Sequence, residues 1–112
     1  MNEDSFPHDE NGAVLRRMRA NGDNLNLARS IDFSVAIPDE QSAHHFSATV
    51  RAWGYAAIIK FPGPVQSLPW DVCVVKHMVP THAAISKFEE DLGREAALVG
   101  GRNDGWGCFE QK

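Results

Sequence analysis

The sequence predicts an α+β fold: a four-stranded antiparallel sheet with helices on one face, preceded by one additional helix. Three observations predict it. Four segments have the length and apolar content of strands, three carry apolar residues at helical spacing, and glycine or proline stands at nearly every junction. The 112 residues, 43% of them apolar, suit one domain, expected over residues 9–112 after a flexible lead at 1–8.

The first helix is expected over 9–21, where Val14, Leu15 and Met18 share a face, Asp9 can cap the start and Gly22 can end it. Gly12 costs this helix up to about 1 kcal/mol relative to alanine, which points to a docked helix. Residues 29–37 alternate Ile31, Phe33, Val35 and Ile37 with Asp32, Ser34 and Ala36, the pattern of a half-buried strand. Pro38 stops it, and Asp39 opens a second helix over 39–53, with Ala43, Phe46, Val50 and Trp53 in one stripe and Gly54 at its end. A strand over 55–61 runs into Pro62-Gly63-Pro64, and a loop leads to the longest strand, 70–79. Its run DVCVV hardly alternates, which suggests a central strand touched on both faces. Pro80 and Thr81 open the third helix, 81–99, with Ile85, Phe88, Leu92, Ala96 and Val99 inward, and Gly100-Gly101 closes it before a short strand at 105–109. Two successive β-α-β units give the ferredoxin-like sandwich, βαββαβ, with an extra N-terminal helix and a sheet order of 4-1-3-2.

Fifteen acidic against eleven basic residues leave a net charge of −4, which speaks against a general nucleic-acid binder. The expected sheet also lacks the interleaved aromatic and basic side chains of an RNA-binding face, so no direct nucleic-acid contact is expected. No apolar run reaches the length of a membrane span. The start, MNEDSFPHDE, has four acids and no base, unlike a secretory signal, and the cytoplasm is the expected address. Cys73 and Cys108 should remain free thiols, since another strand separates theirs in this sheet order.

Catalytic chemistry finds little support. His44 and His45 are adjacent and diverge by about 100° on a helix. Cys73 and His77 share a strand face but stand about 13 Å apart along it. Neither spacing suits a metal, and no metal or cofactor is expected. Ser34, Ser42, Ser47, Ser67 and Ser86 lack a nucleophile-elbow context, and Glu89, Glu90 and Asp91 read as a solvated helix face. The protein should therefore act by binding. Asp32, Ser34 and Lys76 are the candidates on the sheet face away from the helices, with Asp104 and Trp106 at its rim. Trp106, set between glycines, has two readings: a plug at the core end of the last strand, or an exposed anchor for a partner. The plug is preferred.

Three stretches carry a family resemblance: DNLNLARSIDFSVAIPDEQSAHHF, the junction Trp53-Gly54-Tyr55, and FEEDLGREAALVGGRNDGWGCFEQ with its Gly-Gly…Asp-Gly-Trp ending. Over residues 12–110 the sequence resembles the bacterial regulator of ribonuclease activity B (RraB) family, inhibitors of ribonuclease E. The resemblance implies a ferredoxin-like fold, no catalytic residues, and binding to the largely disordered regulatory part of ribonuclease E. Such inhibitors carry a long acidic C-terminal tail, whereas this sequence ends at Lys112, so attraction to a basic partner is expected to be weaker. The alternative is a binding or toxin-neutralising protein on the same fold with a different partner.

Overall fold

Each helix begins at a side chain that satisfies the free backbone N–H groups of its first turn. In the computed structural model, which describes residues 6–109 and residue 111, helix α1 spans Glu10–Ala20, α2 spans Glu40–Ala52 and α3 spans His82–Ala97. Asp9 accepts from the Gly12 N–H at 2.7 Å, Asp39 from Ser42 at 2.8 Å, and Thr81 from Ala84 at 3.1 Å. Gly22, Gly54 and Gly100 follow the three helices with φ of 89°, 100° and 78°.

Four strands, β1 (Arg29–Ile37), β2 (Ala56–Lys60), β3 (Trp70–Met78) and β4 (Arg102–Gly107), form one antiparallel sheet in the order β2-β3-β1-β4. This is the expected 4-1-3-2 read from the other edge. Helix α2 lies over β2 and β3, α3 lies over β4 and β1, and α1 packs beside α3. Contacts between α2 and α3 are sparse, which leaves a groove between them.

The β1 alternation sets the core. Ile31, Phe33, Val35 and Ile37 are buried with Phe46 and Val50 of α2 and with Ile85, Phe88 and Leu92 of α3. Phe88 meets Phe33 and Tyr55 edge-on, with ring centroids 4.8 and 5.0 Å apart. Beyond the core, Arg29 and Asp23 form a buried ion pair at 2.7 Å, their side chains 2% and 0% exposed. The same guanidinium donates to the carbonyls of Asn24, Leu27 and Phe109, fastening the α1–β1 loop to the strand start and to the chain that follows β4. Nothing in the sequence between Gly22 and Arg29 pointed to this pairing.

Four expectations need correction. The last strand runs over 102–107 rather than 105–109, and Phe109 is 86% exposed beyond its end. Its glycines do not break the strand: Asp104 and Gly105 together oppose Ser34 in a bulge, where Gly105 takes a φ of 93° that suits a residue without Cβ. Trp53 falls at the end of its stripe but is 41% exposed, because α2 finishes there and α3 does not cover it. Gly12 is not simply a cost to α1, since a Cβ there would lie 1.8 Å from the Pro7 carbonyl oxygen. Finally, part of the expected loose lead is packed. Arg16 donates to the Phe6 and Pro7 carbonyls, and the Arg19 guanidinium sits 4.7 Å from the Phe6 ring centroid. Residues 1–5 of that lead lie outside the described residues.

Candidate functional site

The sheet face away from the helices is built from the other half of each alternating pattern. On β1 it presents Ser30, Asp32, Ser34 and Ala36; on β3, Asp71, Cys73, Val75 and His77, as the cross-strand pairs Asp32–Val75, Ser34–Cys73 and Ala36–Asp71 require. Ser34 donates to the Asp71 carboxylate at 2.5 Å on the diagonal. The loop after β2 shades Asp71: the Gly63 N–H donates to the Pro69 carbonyl at 2.6 Å, and a Cβ on Gly63 would stand 2.9 Å from the Asp71 Cβ. Asp71 is thus 7% exposed, while Asp32 is open to solvent.

Asp32, Ser34, Asp71, Cys73 and Asp104 line a shallow cavity of about 330 Å³, with Lys60 of β2 at its border. Three carboxylates against one ammonium give the depression an acidic character. Burial, then the neighbouring Asp32 carboxylate, pushes the Cys73 thiol above its ordinary pKa, so it remains a neutral thiol near pH 7 rather than a nucleophile. Cys73 and Cys108 are both free, with β1 between their positions. Among the described residues, no three His, Cys, Asp or Glu side chains are grouped to hold a metal ion. What this face can do is accept hydrogen bonds and charge from the guanidinium or ammonium groups of a partner.

Asp32, Ser34 and Asp104 are brought together there, but two of the five sequence candidates are not. Lys76 is a correction. It pairs across the sheet with Ile31, so it points to the helix side, where its ammonium lies 4.6 Å from the Phe88 ring centroid and 5.4 Å from that of Tyr55. Trp106 borders the cavity but turns its indole the other way: it pairs with Phe33, packs on the core, and donates from Nε1 to Asn11 of α1 at 2.8 Å. The plug reading holds. Asn11 also donates to Ser86 and Glu89 of α3, and Asn103 donates to the Glu89 carbonyl, so the end of the sheet is tied to both helices.

Sequence reasoning missed Asp71, Lys60 and Cys73 on the open face. The available signal was the odd-numbered set Asp71, Cys73, Val75 and His77, hidden within a run where both parities are largely apolar. Residues 8–108 match the family model described as Regulator of ribonuclease activity B. No curated protein matches the chain.

Proposed function

The chain belongs to the regulator of ribonuclease activity B family, and from that membership we propose that it modulates RNA degradation without catalysis, by binding ribonuclease E. The family match over residues 8–108 carries the reading, because it spans all seven elements of the fold. The acidic cavity of the open sheet supports it. A basic, extended segment of the ribonuclease would place Arg or Lys side chains against Asp32 and Asp104, with the Ser34–Asp71 pair beneath them. This mode of action implies a cytoplasmic address; no helix among the described residues is long and apolar enough to cross a membrane.

The test is direct binding of the purified chain to the non-catalytic region of ribonuclease E, read by calorimetry at low and high salt. The expected result is an affinity of micromolar or better that weakens with salt, since charges farther apart than about 8 Å are screened at physiological ionic strength. Replacing both Asp32→Lys and Asp104→Lys should weaken the complex and leave the thermal midpoint nearly unchanged. No affinity at micromolar concentration would overturn the ribonuclease E assignment. A different partner, a neutralised toxin among the candidates, would then take its place on the same fold.

A further inference from the structure

The groove between α2 and α3, on the face opposite the acidic cavity, has a chemistry of its own. It encloses about 520 Å³, within the roughly 300–1,000 Å³ range of ligand-binding clefts. One wall is a single stripe of α3, in which Ala84 and Phe88 are apolar and Lys87, Asp91, Arg94 and Glu95 form a rim of balanced charge, so that Lys76 leaves the groove with one net positive charge. The other wall is Trp53 and Tyr55, at the junction where α2 gives way to β2. Lys76 rises from β3 at the floor.

The charges of this groove are unevenly used. On the rim, Asp91 takes Lys87 at 2.8 Å and Arg94 at 2.6 Å, and Arg94 also reaches Glu90 at 3.5 Å. Lys76 lies against the Phe88 and Tyr55 ring faces, and among the described residues no carboxylate forms an ion pair with it. An ammonium held against two aromatic rings on a half-buried floor retains N–H donors for an incoming anion. The surrounding surface, with Trp53 41% exposed, asks for apolar contact at the same time. A basic segment is disfavoured because it would set like charge against Lys76.

We propose that this groove is a second docking site, taking a partner segment in which an acidic side chain neighbours an aromatic one. The carboxylate meets the Lys76 ammonium, and the ring packs on Trp53 and Tyr55. The site does not depend on what binds the open face. The two surfaces select opposite charge, so one chain can hold two different segments at once.

The probe is N-acetyl-aspartyl-phenylalaninamide, compared with its asparaginyl analogue and followed by amide NMR shifts on the whole chain. The acidic probe should move the Trp53 indole and the Lys76 and Phe88 amides. The asparaginyl analogue should bind at least about fivefold more weakly, the loss of one charge-assisted hydrogen bond. Lys76→Met keeps the aliphatic reach over the rings and should lose the preference for the acidic probe, whereas Lys76→Arg should retain it. Trp53→Ala should weaken both probes, with the thermal midpoint held. Equal binding of the two probes to the wild-type chain would overturn the proposal without recourse to any variant. Shifts confined to Asp32 and Asp104, or no shifts up to the solubility limit, would also overturn it. Ribonuclease E takes no part in this experiment, so its outcome is separable from that of the proposed function.

Discussion

Replacing Arg29 with methionine isolates the energetic role of the buried ion pair. Methionine keeps most of the volume of the arginine stem, so packing is largely preserved, but the Asp23 carboxylate loses the guanidinium 2.7 Å away. Two unit charges about 4 Å apart attract by about 4 kcal/mol at an effective dielectric of about 20. Desolvation offsets much of that in the intact pair, yet removing one partner of a buried pair costs about 3–5 kcal/mol, since the other charge stays buried. The carbonyls of Asn24, Leu27 and Phe109 lose their donor as well. Urea unfolding at pH 7, followed by tryptophan fluorescence, should therefore show a deficit of about 3–5 kcal/mol. A second variant separates charge from packing: Asp23→Leu added to Arg29→Met should recover a large part of the deficit. A deficit below about 1 kcal/mol, or no recovery in the double variant, would refute the reasoning.

Phe88→Ala removes a ring that is 3% exposed and touches Phe33, Tyr55 and the Lys76 ammonium, and should cost about 3–5 kcal/mol by denaturant unfolding. The Gly12 N–H, and then His82, hold the Asp9 carboxyl below its ordinary pKa of 3.8. That stability is present above the unfolded value and is lost as the pH falls through the lowered folded value, so it disappears below about pH 4. Amide exchange in α1 should accelerate in that window, and Asp9→Ala should show the fast exchange already at pH 7.

The strand and helix order was legible because breakers and caps agree with periodicity at almost every junction. Asp9, Asp39 and Thr81 all cap as their positions suggest. The orientation of β1 was legible too, since a strict alternation of apolar and polar residues admits only one inward set. On β3 that logic fails. In the run from Val72 to Val75 apolar residues fill both parities, so nothing local decides whether Lys76 points in or out; the pairing with Ile31 decides it. Trp53 shows a different limit: a helical stripe says which face turns inward, not how far a neighbouring helix extends to cover it. The Asp23–Arg29 pair was invisible because it joins a loop to a strand start through a turn, and turns carry no periodicity.

The bulge at Ser34 also works as a register gauge. Asn103 and Trp106 are three residues apart, an odd spacing that would put them on opposite faces of a regular strand, yet both reach toward the helices because Asp104 and Gly105 share one position. Flattening the bulge with every residue kept would restore strict alternation, and then only one of the two could keep its bond: Trp106 to Asn11, or Asn103 to the Glu89 carbonyl. A β4 that slid by one residue during folding would meet the same conflict. The strand is therefore held at a single setting by two anchors that only the irregular spacing can satisfy together. A slipped sheet carries the loss of one of them as its own correction signal.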